Sequence, residues 1–140
     1  IYDNQFIHNY IFHIYGPSHF ESLYPKSYKG YAVYEKTNEI FNKSRINICT
    51  HVQGNANNYL NERTILIMGS GGLLFIDRTA GIENIISEEE CVYIQQNNYI
   101  AQIKSILDNY TKYENIKQKG YLLSKKYTWT EWGKCIMNYI

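Results

Sequence analysis

Three stretches of this 140-residue chain carry residue types that could do chemistry. The first runs from His51 to Asn58 and feeds a segment of helical period that contains Arg63. A helix beginning near Asn58, with Tyr59 as its first residue, would present unpaired amides at the positive end of its dipole. That is a site for a phosphate or pyrophosphate. Arg63, within the first turn or so, could add a fixed cationic fork, or could sit in a surface ion pair on an ordinary capped helix. The second stretch, Gly69-Ser70-Gly71-Gly72, lies between that helix and an apolar run. Glycines there serve either as a left-handed helix cap or as room for close backbone approach. A dinucleotide-binding glycine motif follows a strand, whereas this one precedes it, and the Gly-x-x-x-x-Gly-Lys-Ser/Thr pattern is absent. The third stretch, Asp77-Arg78-Thr79-Ala80-Gly81-Ile82-Glu83, leaves that apolar run and opens a short helix. Gly81 would let backbone approach a ligand. Glu83 could accept bonds from ligand hydroxyls, or could merely be a carboxylate favoured by the helix dipole.

The histidines say less. His8, His13 and His19 gather near the first apolar run, but their spacing matches no metal motif. His13, inside that run, reads as a core histidine. His51, at the carboxyl end of a strand, is the one placed for ligand contact. The chain has no serine nucleophile elbow, no His-Glu-x-x-His and no Asp-x-Asp pair, so hydrolase and metal-enzyme chemistry find no support and no metal is expected. Cys49, Cys91 and Cys135 are too far apart for a zinc site or a disulfide framework. Their odd number, with Cys49 and Cys91 in apolar runs, points to a reducing compartment, the cytoplasm.

The elements that must position these residues follow from periodicity. Short apolar runs alternate with helix-period stretches, which predicts βα units and an α/β, Rossmann-like parallel sheet flanked by helices. Strands are expected at 10–15, weakly at 28–32, then at 45–50, 73–76 and 91–94. Helices are expected at about 34–43, 59–68, 82–87, behind an Asn98 cap, and at 112–125. A last one should open at the capping box Thr128-Trp129-Thr130-Glu131. Apolar stripes at three- and four-residue steps (Ile100, Ile103, Ile106, Leu107 and Tyr110; Ile116, Leu122 and Leu123; Trp129, Trp132, Ile136 and Tyr139) read as core faces. The chain reads as one compact unit.

Composition agrees. With 44% hydrophobic and 19% charged residues the chain is globular, and a net charge of +1 removes the footprint of a non-specific nucleic-acid binder. No apolar run reaches the ~20 residues of a membrane span. The 15 Asn, 20 Ile, 11 Lys and 15 Tyr make up 61 of the residues and point to an A/T-rich genome. The opening Ile1-Tyr2-Asp3-Asn4, without Met, reads as a fragment of a longer chain.

Four stretches carry a resemblance to a known family: 10–16, a strand ending in glycine; 28–35, a short strand, glycine and helix; 41–48, a helix end leading into a strand; and 61–77 with Gly81-Ile82-Glu83. Gly120 and Tyr127-Thr128-Trp129 fit its closing helices. Together they resemble the C-terminal, nucleotide-sugar-binding half of the two-domain GT-B glycosyltransferases, nearest the group-1 enzymes of the spore-maturation CgeB-like branch. The resemblance implies a domain that binds a UDP- or GDP-sugar and transfers the glycosyl group, without a metal or other cofactor, to a glycan or protein acceptor. That acceptor would be held by an N-terminal domain lying outside these residues. It implies that backbone around Gly30, Tyr31 and Val33 meets the base. The amides at Asn58 and Tyr59, with Arg63, would hold the diphosphate, and Gly81, Ile82 and Glu83 would lie beside the sugar. Arg63 and Glu83 would be the catalytic residues, Arg63 and the helix amides stabilising charge on the leaving group and Glu83 standing beside the sugar. Ile65 and Leu66 stand where related enzymes carry a ribose-reading carboxylate, and Glu62 is the nearby substitute. A catalytically degenerate binding or assembly module is the alternative, and a flavodoxin-like or oxidoreductase domain a third.

Overall fold

The computed structural model describes residues 10–51 and 57–138. They form two compact units divided after Thr37.

In the first unit, residues 14–16 and 27–30 run parallel and are joined by one bridge, Ile14 to Tyr28. Ile14 N–H donates to Ser27 O at 2.9 Å and Lys29 N–H to Ile14 O at 2.9 Å. The expected strands at 10–15 and 28–32 therefore shrink to a single bridge. Between them the proline-containing loop winds into a helical turn, α1 (Phe20–Leu23). The Phe20 ring lies against Gly16, 2.7 Å from where a β-carbon would stand, so a side chain there would have to displace the ring. His13 is exposed, correcting the core reading: the segment has one wetted face, and the ring only meets Tyr15 edge-on at 6.3 Å.

Helix α2 (Tyr34–Lys43) spans the unit boundary, and Phe41 near its end packs on the core of the second unit. There β1 (Asn47–Cys49), β2 (Leu74–Ile76) and β3 (Val92–Tyr93) form a parallel sheet in the order β1-β2-β3. The unit is α/β, a parallel sheet flanked by helices. Central β2 is buried along its whole length, as its unbroken apolar run requires of a strand covered on both faces.

Helix α3 (Glu62–Gly69) connects β1 to β2 and buries Thr64, Ile67 and Met68. It ends in a Schellman turn: Gly72 N–H reaches Ile67 O at 3.0 Å and Gly71 N–H reaches Met68 O at 2.9 Å. Gly71 supplies the left-handed residue at φ +71°, and Gly72 has no room for a side chain, being walled by Asn47 and the Phe41 carbonyl. Both readings of the glycine cluster hold, one at each glycine.

After β3 come α4 (Tyr99–Asp108), α5 (Glu114–Ser124) and α6 (Trp129–Met137), with 3-10 turns at Tyr110–Tyr113 and Lys125–Tyr127. Helix α4 buries Ile103 and Ile106, as its stripe predicts. Helix α5 meets α3 through Gly120 and Ser124, its two buried residues, while Leu122 is exposed. Thr128 caps α6, accepting from Glu131 N–H at 3.3 Å, but the Glu131 carboxylate turns to Lys134. Two residues of the expected α6 stripe are not core, and the Trp132 side chain lies outside what is described. Trp129 is 89% exposed and Ile136 53%; among the described residues α6 meets chiefly the turn just before it. Tyr139 lies outside the described residues. Among the described residues no helix is long and apolar enough to cross a membrane.

Candidate functional site

Parallel strands deliver their following loops to one edge of a sheet, and ligands of such sheets sit outside that carboxyl edge. Here the edge carries the loops after β1 and β2. The β1 loop lies in part outside the described residues; it returns at 57–61 and enters α3.

Helix α3 begins at Glu62, three residues later than Asn58 would have it. Asn61 is its N-cap and corrects the expected start at Asn58 and Tyr59. The Asn61 side-chain oxygen accepts from Thr64 N–H at 3.1 Å, Thr64 Oγ1 at 3.2 Å and Cys49 Sγ at 3.4 Å. Its amide nitrogen reaches Thr50 O at 3.5 Å. Asn58 instead sits in a turn at φ +56°, a conformation asparagine tolerates better than most residues.

That turn is tied to the β2 loop. Asn58 N–H donates to Ala80 O at 2.7 Å. The Asn58 side chain occupies the place of a β-carbon on Gly81, itself at φ +81°. Gly81 is thus restricted to glycine twice, by its backbone angle and by its neighbour. It opens only a 3-10 turn, Ile82–Asn84, in place of the expected helix to 87.

A pair of side chains closes the base of this junction. His51 follows β1 and Asp77 follows β2. The Asp77 carboxylate accepts the His51 backbone N–H at both oxygens, 3.1 and 3.0 Å, and lies 2.6 Å from His51 Nδ1. Asp77 N–H in turn donates to Cys49 O at 3.3 Å. The imidazole is wholly covered, Asp77 is partly open, and the Tyr59 ring stands edge-on to the imidazole at 5.4 Å. Sequence reasoning singled out His51 but missed its partner. The available signal was positional: each residue lies just past the end of one of two adjacent parallel strands.

The other expected site residues fall as follows. Glu62 and Arg63 are exposed at the first two positions of α3, where amides lack helical acceptors. Neither has an ion pair or hydrogen-bond partner for its side chain among the described residues, and the same holds for exposed Glu83. The Ile82 side chain is fully buried in the core, so only its backbone is available to a ligand. Arg78 is engaged elsewhere, 2.7 Å from Glu88 and 4.3 Å over the Tyr93 ring. Ile65, which stands where the resemblance would put a ribose-reading carboxylate, packs on the core. Gly30, Tyr31 and Val33 belong to the first unit. Gly30 holds φ +86° and accepts Gly16 N–H at 3.1 Å, and Tyr31 and Val33 are exposed.

Residues 5–138 match the family model described as glycosyl transferase-like. No curated protein and no solved structure is significantly similar to the chain. The matched span takes in the three-stranded sheet, the joined loops at its carboxyl edge and the helices behind them, and on that match the chain belongs to the glycosyl transferase-like family.

Proposed function

We propose that this chain is the nucleotide-sugar-binding half of a GT-B glycosyltransferase of the group-1, CgeB-like kind. It binds a UDP- or GDP-sugar, and the glycosyl group passes to a glycan or protein acceptor presented by a second domain. The observation that carries this reading is the junction at the carboxyl edge: Asn58 bonded to Ala80 and laid over Gly81, beside a helix whose first turn carries exposed Arg63, without a partner among the described residues. In this reading the Glu62 and Arg63 amides and the Arg63 guanidinium hold the diphosphate. They stabilise the charge that develops on the leaving nucleoside diphosphate, a task that needs no metal. Glu83 and the backbone at Gly81 and Ile82 lie beside the sugar, and Glu62 reads the ribose. Three free cysteines fit a reducing compartment such as the cytoplasm.

Thermal unfolding with UDP, GDP, their sugar conjugates and NAD tests the reading. A ligand at 100 times its dissociation constant stabilises the fold by about 2.7 kcal/mol. Arg63→Ala should weaken binding of the responding nucleotide by about tenfold or more, the worth of a hydrogen bond to a charged group. The unliganded melting temperature should not move, because Arg63 is exposed and has no side-chain partner among the described residues. Silence toward every nucleotide refutes the reading. A response to NAD alone overturns the donor class. A degenerate module that binds without transferring is favoured by Ile65, which leaves α3 without a carboxylate at that position; nucleotide binding without donor hydrolysis or transfer by the full-length protein would select it.

A further inference from the structure

Two buried side-chain polar atoms lack a hydrogen-bond partner among the described residues: His51 Nε2 and Thr79 Oγ1. They come from the two loops that meet at the carboxyl edge, one after β1 and one after β2. An unpaired polar atom in a covered place is costly, and a fold that keeps one has a use for it.

The geometry fixes what His51 can offer. An ionised carboxylate only accepts, so the Asp77 oxygen 2.6 Å from Nδ1 holds the ring hydrogen on Nδ1. In the ring's neutral form that tautomer leaves Nε2 a lone pair, an acceptor without a partner among the described residues. Asp77 cannot swing away to release the tautomer, because both its oxygens also take the His51 backbone N–H. The Thr79 hydroxyl, two residues beyond Asp77, can both give and take a hydrogen. A lone pair suits a ligand O–H better than a bare anion, which brings no hydrogen for Nε2.

We propose that His51 is a ligand-binding residue of the donor site, its Nε2 accepting a hydroxyl hydrogen from a sugar ring of the bound nucleotide sugar. The assignment rests on the nucleotide-sugar reading above and adds to it the atom that recognises the sugar. Asp77 is a positioning residue that keeps Nε2 an acceptor. The Tyr59 ring packs edge-on against the imidazole, 5.4 Å between centroids.

The test uses 15N-labelled protein and the imidazole resonances of its histidines. A UDP- or GDP-sugar that binds should shift the His51 Nε2 resonance while the exposed His13 and His19 rings stay put; pyrophosphate should leave all of them unchanged. In calorimetry, His51→Gln should weaken the nucleotide sugar about tenfold and pyrophosphate not at all. Equal weakening of the nucleoside diphosphate and its sugar conjugate would assign the ribose hydroxyl; weakening of the conjugate alone would assign the transferred sugar. A nucleotide sugar that binds without moving the His51 resonance overturns the proposal even if His51→Gln unfolds. So does a His51→Gln variant that loses pyrophosphate equally. If no nucleotide sugar binds the wild-type chain, the donor-site reading itself fails, and the His51 assignment with it.

Discussion

Replacing Gly81 by alanine probes the junction on which the site depends. Two penalties are expected, and their sizes differ. A non-glycine residue held at φ +81° pays about 1 to 2 kcal/mol for the left-handed conformation. The new methyl also collides with the Asn58 side-chain oxygen. Asn58 is exposed and its amide group can rotate away, so this second penalty is the smaller, up to about 1 kcal/mol, near one off-rotamer adjustment. Backbone strain should therefore dominate, with a total loss of about 2 to 3 kcal/mol. The two parts separate in a double-mutant cycle with Asn58→Gly, which removes the obstacle but leaves the strain. Gly81→Ala should then cost about 1 to 2 kcal/mol in the Asn58→Gly background, a coupling of up to about 1 kcal/mol. Urea unfolding followed by far-ultraviolet circular dichroism reads both numbers; Trp129 fluorescence is a poor probe because that ring is already in water. A Gly81→Ala variant within about 0.5 kcal/mol of wild type would refute the positive backbone angle. An equal loss in both backgrounds would refute the contact with Asn58.

Two other substitutions separate helix propensity from packing. Gly120→Ala in α5 gains about 1 kcal/mol of propensity but drives a methyl to 2.8 Å from the Glu90 carbonyl, which belongs to backbone and cannot step aside, so net destabilisation is expected in urea. Gly133→Ala in α6 meets nothing within 4 Å and should raise stability by up to about 1 kcal/mol; the opposite signs are the result to look for. Of the three thiols, exposed Cys135 should react with a disulfide reagent at neutral pH while Cys49 and Cys91 wait for denaturation. Burial pushes the Cys91 thiol up to about 12 and raises the Tyr93 hydroxyl as well. The unfolded chain ionises first at both, so their contribution to stability is complete below about pH 9 and declines through the alkaline range. A melting temperature that rises from pH 9 to 11 would contradict that burial.

What the sequence made legible is what local pattern decides. The apolar run of β2, the residues of α2 and the Thr128 cap of α6 each follow from signals within a few residues of one another. The start of α3 did not, and the reason is chemical. Asn57, Asn58 and Asn61 are equally good caps by type, and the choice among them is made by Thr64 and Cys49, whose polar atoms converge on Asn61 alone. Trp129 and Ile136 of α6 failed differently: periodicity says that one face is apolar, but not that another element exists to cover it. The contact between α3 and α5 escaped because Gly120 and Ser124, the residues that let the helices close, carry no hydrophobic signal.

The polar edge was the hardest part to read, since its partners are distant in sequence. His51 and Asp77 are 26 residues apart and meet because the register sets Cys49 against Ile76. Asn58 finds Gly81 for the same reason. Side chains at this edge thus obey sheet adjacency, whereas those of the core obey periodicity. A sheet order deduced from the helix-strand alternation would have predicted both meetings. The physical consequence is that stability and recognition here share atoms: the carboxylate that fastens the β1 loop to the β2 loop also dictates which nitrogen of His51 carries the hydrogen. Asp77→Asn should separate them. Its amide oxygen can still accept from the His51 N–H, so the loops stay joined, while its NH2 can donate to Nδ1 and move the ring hydrogen to Nε2. The acceptor would become a donor with little change in shape.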